Sequence, residues 1–91
     1  MKTSDVLIEW CEEQGWAAWV VGPTIIAIRL YQSNVKCNVL LDVYGTKVSI
    51  ADCWSTNGPH KSASYCFDVA DPDFFDKLDL MFIKIFSIRA L

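Results

Sequence analysis

"VKCNVLLDVYGTKVSIADCW", Val35 to Trp54, decides the fold, because it holds two alternating runs joined at the tetrapeptide Tyr44-Gly45-Thr46-Lys47. Val35, Cys37, Val39, Leu41 and Val43 fall on one side of the first run. Lys36, Asn38, Leu40, Asp42 and Tyr44 fall on the other, the signature of a strand with one face on a core. Gly45 at the first central position suits a two-residue type II′ hairpin turn. With Gly45 and Thr46 as the loop, Tyr44 faces Lys47, Val43 faces Val48 and Leu41 faces Ile50, so apolar residues meet on the inner face. The same count sets Asn38 against Cys53 and Cys37 against Trp54, which puts the two cysteines on opposite faces. It also sends Asp52 inward, so either the ladder ends or bulges there or Asp52 needs a partner inside the core.

Working outward, Trp16–Val21 reads as a strand, the Gly-Pro-Thr at 22–24 as a turn, Ile25–Tyr31 as a second strand and Gln-Ser-Asn as the loop before the hairpin. Beyond the hairpin, "STNGPHKS", Ser55 to Ser62, is a polar loop that carries His60. A last strand, Ala63–Val69, places Ala63, Tyr65, Phe67 and Val69 on one face and Ser64, Cys66 and Asp68 on the other.

Helical periodicity flanks these strands. Over Thr3–Gln14, Val6, Leu7, Trp10 and Cys11 share a face with Ile8 at its edge, while Glu9, Glu12 and Glu13 share the opposite one. Thr3 or Ser4 is the expected cap, and Gly15 the left-handed stop. The second helix is expected to start at Asp71-Pro72, with Asp73 and Asp76 against its positive end and Asp73 paired to Lys77. Its core face is Phe74, Phe75, Leu78, Met81, Phe82, Ile85, Phe86 and Ile88, leaving Leu80 and Ile83 on the polar side. The expectation is one α+β domain over residues 1–91: a two-layer sandwich with an N-terminal helix, a five-stranded, mainly antiparallel meander sheet and a C-terminal helix, both helices on one sheet face.

Composition narrows the function classes. The chain has 91 residues, 53% of them hydrophobic, more apolar side chain than a small monomer readily hides. A net charge of −3, a pI near 4.8 and scattered basic residues argue against nucleic acid as a partner. The longest apolar run, "WAAWVV", is too short to span a bilayer, and the start "MKTSDVLIEWCEE" lacks the apolar region of a signal peptide, so no membrane partner and a cytoplasmic location are expected. Cys11, Cys37, Cys53 and Cys66 form no C-x-x-C pair, and the aspartates of "DVADPDFFD" lack the glycine turn and distal glutamate of a calcium loop. No metal, no cofactor and no catalytic residue is expected; the cysteines read as small core hydrophobes of a reducing compartment.

What remains are contact surfaces. Trp16 and Trp19 take opposite faces of one strand, so Trp19 would join Leu40 and Tyr44 on the face away from the helices. Leu80 and Ile83 would form a second apolar edge, and Glu9, Glu12 and Glu13 an acidic stripe steering toward a basic surface. These features describe a small acidic protein-binding module, a regulator or inhibitor without enzymatic activity, homodimeric and directed at a basic protein surface. In size, acidity and element order the chain resembles small acidic secretion-chaperone domains and the compact proteins of phages and mobile elements that block host defence enzymes. That resemblance implies action through protein contact, as an anti-defence protein or as a secretion-chaperone-like dimer. The alternative of another class is a small enzyme or ligand-binding domain with a pocket near Asp52, Cys53 and His60.

Overall fold

A computed structural model describes residues 2–32, 35–55, 58, 60 and 65–86. The chain runs α1 (Thr3–Glu13), β1 (Ala17–Val20), β2 (Ile25–Gln32), β3 (Val35–Tyr44), β4 (Lys47–Ser55), β5 (Cys66–Asp68) and α2 (Phe74–Phe86). The strands form one sheet in the order β1-β2-β3-β4-β5, each antiparallel to its neighbours, which is the expected α+β meander flanked by a helix at each end.

The hairpin holds the sheet's centre. Tyr44 pairs with Lys47, Val43 with Val48 and Leu41 with Ile50, as the two-residue loop requires, and Gly45 sits at φ 60°, the left-handed value a type II′ turn needs at its first central position. Between Leu40 and Leu41 the register shifts, so that Leu40 faces Asp52 and Val39 faces Cys53. Ala51 is the extra residue of a β-bulge. This corrects the straight ladder: Asp52 turns to the outer face, while Cys53 joins Cys37 on the inner one, both buried.

Alternation sends Ile26, Ile28, Leu30, Val39, Leu41 and Val48 inward, where Leu7 and Cys11 of α1 and Phe74, Leu78, Met81 and Phe82 of α2 meet them. Aromatic rings tie the helices together over this core. Trp10 stacks on Phe75 with centroids 5.1 Å apart and stands edge-on to Trp16 at 5.4 Å, and Trp16 stands edge-on to Phe82 at 5.3 Å. Trp16 therefore belongs to the helix side and precedes β1 rather than opening it.

Several boundaries differ from the sequence reading. The N-cap of α1 is Lys2, which makes no side-chain cap bond; the Thr3 hydroxyl instead donates to the Gly45 carbonyl across the fold, at 2.6 Å. Gly15, at φ 81°, does end the helix, just after the C-cap Gln14. Helix α2 opens at Phe74, three positions after Asp71, because Asp71 holds a preceding turn: its Oδ1 accepts the Asp73 N–H at 3.1 Å and its backbone carbonyl accepts the Phe74 N–H at 3.0 Å. Lys77 reaches back to the Asp71 carboxylate rather than to Asp73. The last strand is shorter than expected at Cys66–Asp68; positions 61–64, the loop residues Ser33 and Asn34, the side chains of Val35, Ile85 and Phe86, and Ile88 lie outside the described residues. No helix among those described is long and apolar enough to cross a membrane.

Candidate functional site

Both helices cover the inner face, and among the described residues no helix lies on the opposite face of the sheet. Its rows follow from the pairing. Trp19, Ala27, Leu40 and Asp52 form one row across β1 to β4; Ala17, Arg29, Asn38 and Trp54 form the next, extended to His60 by an isolated bridge between Trp54 and His60. A third row sets Ile25, Asp42, Ser49 and Cys66 side by side.

Side chains on this face support one another. The Arg29 guanidinium lies 5.4 Å from the centre of the Trp19 ring, while its Nε donates to Asn38 Oδ1 at 3.2 Å, so one cation fixes an aromatic on one side and an amide on the other. Ala27, the small residue between Trp19 and Leu40, is only 6% exposed although it faces away from the core. Trp19 itself is 39% exposed and Tyr44, at the hairpin end, 64%. The His60 imidazole stacks on Trp54 with centroids 4.9 Å apart, and its Nδ1 lies 2.9 and 2.8 Å from the two Asp52 oxygens. Asp52 Oδ1 also accepts the Cys53 N–H at 2.9 Å. In the third row Asp42 Oδ1 is buried with no hydrogen-bond partner among the described residues.

The residues singled out from sequence fall on separate surfaces. Trp19, Leu40 and Tyr44 share the outer face. Glu9, Glu12 and Glu13 are exposed on α1, and Leu80, 54% exposed, projects from α2, so both groups lie on the helix side of the sheet. Ile83 is half-buried rather than protruding, because its position on the wheel sets a direction while neighbouring elements set the cover. Alternation had set Asn38 beside Leu40, and the inward Ile26, Ile28 and Leu30 would have set Arg29 on the same face, whereas Trp54 reaches it only because the bulge at Ala51 shifts β4 by one position.

Chemically the arrangement separates the groups a nucleophilic site would need. Cys53 is fully buried on the inner face, whereas Asp52 and His60 stand on the outer one, so Cys53 and His60 do not form a nucleophile and base pair in this conformation. Among the described residues no group of three or more His, Cys, Asp or Glu side chains is placed to hold a metal ion. A cavity of about 450 Å³ opens between the start of α1, the β1–β2 turn and the hairpin, lined by Lys2, Ser4, Val20, Pro23, Ile25 and Val43 among others, and not by Asp52, Cys53 or His60.

Electrostatic ties lie along the acidic segment. Asp68 accepts the Ala70 N–H at 2.9 Å and pairs with Lys47 at 3.2 Å, interactions that hold its carboxyl below the usual value. The Lys77 ammonium, then the Asp73 N–H, hold the Asp71 carboxyl down in the same way, and Asp71 raises Lys77 in return. These aspartates are engaged in turns and ion pairs of the fold.

No family model matches the sequence, and neither a curated protein nor a solved structure matches it. Function has to be argued from the surfaces themselves.

Proposed function

We propose that the protein is a small protein-binding module, a regulator or inhibitor without enzymatic activity, whose outer sheet face receives a basic surface of a partner protein. The observation that carries this reading is the outer face, which no described helix covers, with Trp19 and Tyr44 exposed on the same side as Leu40. Exposed aromatics held in place by neighbours are favourable anchors, since little side-chain entropy remains to be lost when they are covered. The overall charge of −3, with Glu9, Glu12 and Glu13 exposed, adds long-range attraction to a basic surface. Buried Cys11, Cys37 and Cys53, used as core hydrophobes, support a reducing, cytoplasmic setting. The phage and mobile-element inhibitors that the chain resembles in size and acidity act in this manner.

The test is affinity capture from the source cell with the native protein, a Trp19→Asp/Leu40→Asp variant and a Leu80→Asp variant, all shown to fold. Capture of a basic protein by the native chain and by Leu80→Asp, with loss in the outer-face variant, supports the reading. A partner kept by the outer-face variant and lost with Leu80→Asp moves the site to α2 and overturns it.

A further inference from the structure

We infer that β1 is the docking edge for a second copy of this chain, joined by antiparallel pairing of β1 with β1 of the other copy. The inference rests on the backbone of one edge and shares only Trp19 with the partner-binding face; its tests at positions 18 and 20 leave that side chain in place, so the two readings can fail separately.

Three observations carry it. First, β1 is at the end of the strand order, and among the described residues β2 is the strand that pairs with it. The Val21 N–H donates to the Ile25 carbonyl at 3.0 Å, which makes Val21–Ile25 a hydrogen-bonded pair, and the alternation of an antiparallel ladder then makes Trp19–Ala27 and Ala17–Arg29 the next ones. The N–H and C=O groups of Ala18 and Val20 therefore point away from β2, toward the open edge.

Second, the sequence of this edge is that of a central strand. "WAAWVV", Trp16 to Val21, is apolar at every position, as strands covered on both faces are, yet Val20 is 57% and Val21 51% exposed. Of the side-chain protections of an edge, the run holds neither a charge nor a proline; its shortness alone limits pairing.

Third, charge selects a copy of the same chain. Self-association through the exposed face of α1 would set Glu9, Glu12 and Glu13 against their own counterparts, whereas β1 is neutral along its length and brings no like charges together. A two-fold axis through Trp19 pairs Ala18 of each copy with Val20 of the other, using every outward N–H and C=O of both residues. It sets Trp19 opposite Trp19 at a non-hydrogen-bonded position, where facing Cα atoms approach to about 4.5 Å and aromatic pairs gain most. Such a contact closes on itself, so it yields a dimer and not a fibre. Two four-residue strands bury less than the roughly 1,200 Å² of a stable interface, so the dimer exchanges with monomer.

Proline separates this edge from every other surface. At position 20 or 18 it removes an outward N–H and leaves the ladder to β2 intact. Light-scattering mass over a dilution series is expected to show a concentration-dependent dimer for the native chain. Val20→Pro, and separately Ala18→Pro, should weaken it by roughly thirtyfold, the effect of losing two hydrogen bonds per dimer. Hydrogen exchange on the native chain gives a readout that needs no variant: the Ala18 and Val20 amides should gain protection as the protein is concentrated. A strict monomer with both amides unprotected at every concentration overturns the inference. So does a dimer that protects neither amide, or one that folded proline variants form as tightly as the native chain.

Discussion

Asp52 and His60 meet on the outer face of the sheet, Nδ1 lying 2.8 Å from Oδ2, because Ala51 is left over between the paired strands and turns the residues after it by one position. Deleting Ala51 removes the unpaired residue and leaves Ile50 opposite Leu41, Asp52 opposite Leu40 and Cys53 opposite Val39 in a regular ladder, so Asp52 stays outside and Cys53 inside. That deletion is expected to change stability by less than about 1 kcal/mol. Asp52→Asn, which keeps an acceptor for the Cys53 N–H and alters a partly exposed contact with His60, should change stability by less than about 1 kcal/mol. Urea unfolding of both variants decides the matter; a loss of about 3 kcal/mol or more on deletion, the cost of an uncompensated buried carboxylate, would show that Asp52 does not keep its place opposite Leu40 once Ala51 is gone.

The bulge also marks where the sequence stops being legible. Two-residue periodicity and Gly45 were enough to set Tyr44 opposite Lys47 and Leu41 opposite Ile50, since a one-residue slip would expose the whole inner set. The same period, applied to an inward Asp52, announced that something had to give. It did not say which residue would be extruded, because Ala51 is small and carries no turn preference. The start of α2 was hidden for a related reason: Asp71-Pro72 is a helix signal, but Asp71 spends its oxygens on Asp73 and Lys77 in the turn before Phe74. The outer face was legible at Trp19, Leu40 and Tyr44 by parity alone. Its support by Arg29 and Asn38, and the half-burial of Ile83, depend on neighbours that are distant in sequence.

The hydroxyl of Thr3 donates to the carbonyl of Gly45, tying the first turn of α1 to the hairpin. Thr3→Val keeps the shape and removes the donor, and should cost about 1 kcal/mol. Gly45→Ala should cost about 1–2 kcal/mol through its backbone alone, because φ is 60° while a Cβ there meets no atom within 4 Å. Thermal unfolding of the two single variants checks both figures. A Gly45→Ala variant as stable as the native chain would mean that the turn relaxes into another type.

Asp68 and Asp71 both have carboxyls held below the ordinary 3.8, so the folded state holds the ionised forms more tightly than the unfolded chain does. The sign follows from linkage: their contribution is present above about 3.8 and is lost as pH falls through the depressed folded values. Asp68→Asn and Asp71→Asn should each flatten the acid limb of a stability-against-pH curve. An acid limb as steep in the double variant as in the native chain would assign acid unfolding to other carboxylates.

Burial pushes the Cys11 thiol up to about 12 from an ordinary 9.0, and the neighbouring Glu12 charge adds to the shift. The folded protein thus keeps Cys11 protonated where the unfolded chain ionises. Its contribution is whole below 9.0 and is lost progressively as pH rises toward about 12. Cys11→Ala should cost about 1 kcal/mol at neutral pH, through the small void left beside Leu7 and the inner sheet face. In return it should shed its share of the alkaline decline. The variant, then, starts less stable and converges on the native curve as the solution becomes alkaline. Every other ionisable group is common to the two chains, so the difference between the two curves isolates Cys11. Two curves that run parallel through the interval would show that the thiol is not protected by the core.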